Sequence, residues 1–393
     1  MKKTKFAYLF ATTLVAGTMG LVSCSEEGEN PMPVEGENTE VTIGLSVAPS
    51  TRATAADVNL GTTKKNIANV AVVPMVGTAY QKPICWASVD NRGESTTQSA
   101  QMLTSVNGFK VYGNLNENQY AAVQNVWALT SDMFALTTES ALAGYKKPHA
   151  QLYYFANAKF EVSSIGGSYA QATGWATAAT IGSAKYIKVS DINYAVGVLA
   201  AAVMNGDETL CFEVEGEKKN AVDAGVKVSG ITIDNQKGFE PVNFTTTTET
   251  AVDVYEPVAT GKEDFGTKMA SSADAANGNL FVIVSPTAEE EEVSVNIEFL
   301  LPEGVTLTKT DGTKVTGAAG GTKLYLGLKM KPAGQATTSN ISSVFAADYV
   351  TILNATVKNW GIASTSPVDV TDAEIGVVFD VDWEEGNLYD IEI

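Results

Sequence analysis

Histidine is almost missing from this chain: 393 residues carry a single one, His149, and only three cysteines. That scarcity excludes whole classes of chemistry. A Ser-His-Asp triad would have to be built on His149 or not exist, and its position after Lys146-Lys147-Pro148 reads as a loop residue. A histidine-rich zinc site is ruled out by count, and Cys24, Cys85 and Cys211 cannot supply four thiolates. Basic residues are also scarce. The 26 lysines and arginines face 45 acids, for a net charge of −19, the opposite of the footprint that phosphate binding needs, so nucleic acid is not expected as a partner. No GxxxxGK[ST] and no strand-linked GxGxxG occurs, which leaves nucleotide binding without support. No cofactor, no metal and no enzymatic activity is expected.

Long apolar runs are absent too, with one exception. Lys2, Lys3 and Lys5 precede an apolar stretch over residues 6–22 that ends in Leu21-Val22-Ser23-Cys24. A basic start, a short apolar core and small residues before a cysteine form a secretory signal of the lipoprotein type, covering residues 1–23 with Cys24 as the lipid site. Each buried methylene of an acyl chain contributes about 0.8 kcal/mol, and two or more chains make release slow. Residues 25–40 are rich in Glu, Gly and Pro with almost nothing to bury, which reads as an extended acidic tether. Residues 41–47 then alternate, with Val41, Ile43, Leu45 and Val47 on one face. Shortly after comes Arg52 before Ala53, between Pro49-Ser50-Thr51 and Ala53-Thr54-Ala55, an accessible small-residue loop of the kind proteases enter. Residues 24–52 therefore read as a removable propeptide.

The rest reads as mainly β. Strand candidates lie at residues 67–74 and 150–162, and one or two helices fit within 116–142. Residues 192–204 are an apolar, alanine-rich run ambiguous between helix and strand. From residue 226 the pattern is cleaner, with β-branched alternating segments at 226–233, 252–255, 279–284, 293–301, 323–330, 349–357 and 375–383. Asp311-Gly312 is a hairpin signal. Short strands at this spacing indicate an antiparallel sandwich or barrel. A boundary near residue 215, in a charged stretch, divides the body into 53–215 and 216–393. An exported protein permits a disulfide, but Cys85 and Cys211 read better as two separate thiols. Glu289-Glu290-Glu291-Glu292 lacks the spacing of a calcium loop and reads as a solvated turn. Asp380 and Asp382 fall on the polar face of a strand, where edge protection explains them more simply than glycosidase chemistry.

Both ends of the chain carry the same lettering. Ile375, Val377, Phe379 and Val381 alternate as Val41, Ile43, Leu45 and Val47 do, and Tyr389, Ile391 and Ile393 alternate again to the last residue. A sheet lacking one strand exposes backbone polar groups and an apolar groove. A propeptide strand could fill that groove, and after a cut at Arg52 the terminal strand of another subunit could replace it. The plainer reading makes both segments ordinary strands of one molecule.

In this layout the chain resembles the fimbrillin family that forms type V pili in Bacteroidota. The likeness lies in the Leu-Val-Ser-Cys lipobox, the acidic tether, the alternating strand, Thr51-Arg52-Ala53, the β-rich body and a Trp-containing strand close to the C-terminus. Asp348-Tyr349-Val350-Thr351-Ile352 followed by residues 377–383 is similar to that family's last two strands, and Ser25-Glu26-Glu27 is similar to the surface-export signal of Bacteroidota lipoproteins. The resemblance implies two transthyretin-like antiparallel β-sandwich domains and a precursor anchored by lipid in the outer membrane. It also implies trimming by an Arg-specific protease between Arg52 and Ala53. Assembly with other copies and related fimbrial subunits would use a donor strand at residues 375–382 or 388–393. The presence of Arg52 favours a shaft or stalk subunit over an anchor. A monomeric glycan-binding surface lipoprotein is the alternative, with Trp86, Trp127, Trp175 or Trp360 stacking on sugars.

Overall fold

The computed structural model of the protein describes residues 36–45, 69–86, 97–126, 128–140, 142–270, 274, 278–332, 343–368, 376–377 and 385–392. Its principal strands in the first half are β1 (Asn38–Leu45), β2 (Val70–Val76), β3 (Thr97–Leu103), β4 (Gly108–Gly113), β5 (Tyr154–Ser163) and β6 (Tyr186–Ser190). In the second half come β7 (Gly197–Asn205), β8 (Lys227–Gln236), β9 (Val252–Pro257), β10 (Leu280–Val284), β11 (Val293–Leu301), β12 (Thr322–Met330), β13 (Val350–Val357), β14 (Gly376–Val377) and β15 (Glu385–Glu392). One helix, α1 (Glu117–Val126), and a 3-10 turn at Ser131–Phe134 fall in the stretch where the sequence predicts helices.

The first half is one sheet bent over itself, in the order β2-β4-β5-β6-β1-β3. β5 makes the corner: residues 154–158 pair with β4, and residues 159–163 pair with β6. Between the two limbs lies a core of Val41, Ile43 and Leu45 from β1, Val70 and Val72 from β2, Phe109 and Val111 from β4, and Phe160, Ile187 and Val189. Strand alternation explains this sorting, since successive side chains point to opposite faces.

The second half is a sandwich. Its inner sheet runs β10-β7-β13-β15-β14 and its outer sheet β9-β8-β11-β12. Leu199, Ala201 and Val203 of β7 and Leu353, Ala355 and Val357 of β13 face Ile231, Ile233, Val295, Ile297 and Phe299 across the core. Trp360 sits fully buried against Phe212, Phe265 and Phe299, its Nε1 donating to Asn205 Oδ1 at 3.0 Å. The predicted hairpin forms between Thr306–Thr308 and Lys314–Thr316, with Gly312 at φ 82° supplying the left-handed turn residue.

A third apolar layer joins the halves. The other faces of β7 and β13, with Val198, Ala200, Ala202 and Ile352, meet Ala71, Val73, Tyr112 and Phe155 of the first sheet, along with Val123 and Phe134. β7 is thus buried on both faces, which settles the ambiguous alanine-rich run as a strand. Small side chains suit a strand packed on both sides. The Tyr112 hydroxyl donates to the Pro241 carbonyl and Lys110 Nζ lies 4.9 Å from the Phe244 ring, adding polar ties across the same layer. Pairing changes hands between Tyr194, which is still paired with Tyr154, and Gly197, which is paired with Val284.

Three pairings depart from the antiparallel rule expected of the sandwich: β1 with β6, β7 with β13, and β13 with β15 all run parallel. Parallel partners need long connections rather than hairpins. Two of these three pairings involve the first or last strand of the described chain.

Candidate functional site

β1 is a central strand. It pairs antiparallel with β3, from Asn38 opposite Leu103 to Gly44 opposite Thr97, and parallel with β6, from Thr42 opposite Tyr186 to Leu45 opposite Val189. Val41, Ile43 and Leu45 are 1%, 0% and 2% exposed, so the predicted apolar face is the buried one. Side chains of this size contribute roughly 1.5–3 kcal/mol each on full burial. β3 ends the sheet and is joined to it through β1. Removing β1 would therefore uncover Met102, Leu103, Ile187 and Val189, together with the backbone edges of β3 and β6.

The opposite face of β1 is covered at Gly44 and partly open at Thr42. Thr42 Oγ1 lies 3.3 Å from Ser99 Oγ. Gly44 lies beneath the ring of Tyr169, and a Cβ built there would overlap the ring's Cζ, Oη and Cε2. Tyr169 belongs to a glycine-rich flap between β5 and β6. Ser163 Oγ accepts from the Ile165 amide at 3.1 Å, and the Thr173 amide donates to the Ile165 carbonyl at 3.2 Å. The short strand Ala176–Thr177 pairs back onto β5. Trp175 backs the tyrosine edge-on at 5.3 Å. Burial, assisted by the Glu161 charge, pushes the Tyr169 phenol up to about 12, so it stays neutral.

At the other terminus β15 runs parallel on β13, with Ile352 opposite Leu388 and Thr356 opposite Glu392. β14 lies beyond it, antiparallel, with Gly376 opposite Asp390 and Val377 opposite Tyr389. Both predicted donor segments therefore have backbone in one sheet margin. Cys24, Val47, Arg52, Ala53, Ile375, Phe379 and Val381 lie outside the described residues.

The chain is similar to a candidate cell adhesion protein from Bacteroides eggerthii, at 12% identity over 93% of this chain and 100% of that one, TM-score 0.46. A candidate cell adhesion protein from Parabacteroides distasonis matches at 13% identity over 86% of this chain and 92% of that one, TM-score 0.43. The tip fimbrial protein Mfa3 from Porphyromonas gingivalis, with a C-terminal truncation, matches at 11% identity over 81% of this chain and 94% of that one, TM-score 0.38. No protein-family model matches the chain, and no curated protein matches it in sequence.

Two buried polar clusters elsewhere are closed by their own hydrogen bonds. His149 is in a loop, as the sequence suggests, but it is buried, and burial pulls its pKa down to about 4. Its Nε2 is 2.8 Å from Ser285 Oγ and 3.2 Å from the Lys237 carbonyl. The Ser285 hydroxyl donates to that same carbonyl, so the pair is a polar pin and not an activated nucleophile. A second cluster escaped the sequence reading. Glu298, 2% exposed on β11, accepts from Ser229 Oγ (2.9 Å), Tyr255 Oη (3.0 Å) and Tyr325 Oη (2.9 Å), and pairs with Lys323 Nζ at 2.9 Å. Burial and the Glu298 charge both push the two phenols upward. In the sequence it continues the polar side of an alternating strand, Ser294, Asn296 and Glu298, and so reads as solvent-facing.

Cys85 and Cys211 are free thiols, and burial pushes Cys85 up to about 11, which makes it a poor nucleophile. Within the acidic run, Glu292 is held by Lys329 at 2.8 Å and Lys331 at 3.1 Å. Trp86 and Trp360 are buried, Trp175 is half-buried, and Trp127 lies outside the described residues.

Proposed function

We propose that this chain is the precursor of a cell-surface fimbrial subunit, a structural rather than catalytic protein that supports adhesion. Export as a lipoprotein attaches the precursor to the outer membrane through Cys24. An Arg-specific protease cuts between Arg52 and Ala53 and releases residues 24–52. The mature chain then presents two transthyretin-like sandwiches, the second of which takes in β7 and so begins before the boundary expected near residue 215. The groove between β6 and β3 receives the C-terminal strand of another copy or of a related subunit. Residues 375–382, with Ile375, Val377, Phe379 and Val381 inward, and residues 388–393 are the two donor candidates.

The observation that carries this reading is the burial of Val41, Ile43 and Leu45 in a central strand that precedes the proposed cut. A segment written to be discarded is built into the core. Its loss leaves an apolar slot and two unpaired edges, a costly and adhesive surface that another strand can cover. The alternative, a monomeric glycan-binding lipoprotein, is weakened because Trp86 and Trp360 are taken up in cores and cannot stack on sugars.

The test is limited cleavage of the full precursor at Arg52, followed by size analysis. Polymers and SDS-resistant ladders appearing only after the cut are expected. A protein that stays monomeric after clean loss of residues 25–52 overturns the proposal.

A further inference from the structure

Against β1 lies a steric pin, the contact between Gly44 and Tyr169. A Cβ built on Gly44 would overlap the Tyr169 ring, which meets Trp175 edge-on in a flap closed through Ser163. Any strand replacing β1 in the same direction must bring a glycine to this position or displace the ring. The sequence offers a counterpart: Ile43-Gly44-Leu45 near one end and Ile375-Gly376-Val377 near the other.

Building on the strand-exchange reading above, we infer that Gly376 of one copy occupies the Gly44 position of the next, beneath Tyr169. Ile375 then takes the site of Ile43, Val377 that of Leu45, and Ala373 that of Val41. This register differs by two residues from the one that simply overlays the four alternating apolar positions. In that simpler overlay Val378, a β-branched residue, falls beneath the ring. The pin also separates the two donor candidates. Residues 388–393 contain no glycine, and placing Tyr389 and Ile391 inward puts Asp390 beneath Tyr169. Sliding that segment until Gly386 reaches the pin puts Glu385 and Asn387 into apolar sites. Only the segment around Gly376 satisfies both the core and the ring.

The test uses the full precursor cut at Arg52, with polymer formation followed by SDS-resistant ladders. Gly376→Val should slow assembly at least tenfold while the uncut precursor stays folded and monomeric. Adding Tyr169→Ala should restore most of the lost rate, because the obstructing ring is gone. Val378→Ala should assemble like the parent. If Gly376→Val assembles at the parental rate, or if Tyr169→Ala fails to rescue it, the register is overturned while strand exchange stands. If the cut parent itself forms no polymer, strand exchange and the register fall together.

Discussion

β1 enters its sheet between two strands, β6 and β3, and places three side chains in a core. β15 is laid on one strand, β13, with β14 beyond it among the described residues. Both run parallel to a neighbour, so both were added to their sheets by long connections rather than hairpins. The difference lies in what each removal leaves behind. Taking out β1 splits a sheet and opens a core, whereas taking out β14 and β15 shortens a sheet at its margin. Margins open at lower free energy than centres. On the proposed reading, the first strand is the one that is replaced and the last strands supply the replacement.

Substitutions should bring this contrast out in graded form. Ile43→Ala in the uncut precursor removes a fully buried side chain and should cost about 4 kcal/mol in denaturant unfolding. A cost below about 1 kcal/mol would mean that β1 is not a core strand. Acid should act on the layer joining the two halves. His149 is held near pKa 4 against an ordinary 6.5, so the folded protein binds fewer protons than the unfolded chain between those values. Stability is whole above pH 6.5 and falls as the pH drops towards 4, by up to about 3 kcal/mol, and His149→Gln should flatten that slope. Glu298→Gln weakens a polar hub remote from both ends. It should cost about 2 kcal/mol yet leave the assembly rate of the cut protein unchanged. Arg52→Ala should leave unfolding unchanged within about 0.5 kcal/mol while abolishing assembly.

Much of the architecture was readable because alternation is a local signal. The strands at residues 226–233, 293–301 and 349–357 and the Asp311-Gly312 hairpin all appear within a residue or a few of their expected places. The buried face of β1 was legible for the same reason. What was hidden depends on residues far apart in the chain. Nothing in 192–204 says that Val198 and Leu199 serve two different cores. Nothing near Gly44 announces Tyr169, because the flap reaches it only once β6 is paired. Glu298 looks like a solvent-facing acid until Tyr255 and Tyr325 are brought beside it by cross-strand pairing. Parallel pairings leave no hairpin between partners and so no local signature at all.

The central claim is that β1 holds a place that another chain's strand later fills. Amide hydrogen exchange on β3 and β6 tests it most directly, measured in the precursor, in the monomer cut at Arg52, and in the assembled product. Protection should be high in the precursor, drop sharply in the cut monomer, and return on assembly. Amides of Met102, Leu103, Ile187 and Val189 that stay fully protected in the cut monomer would contradict the account.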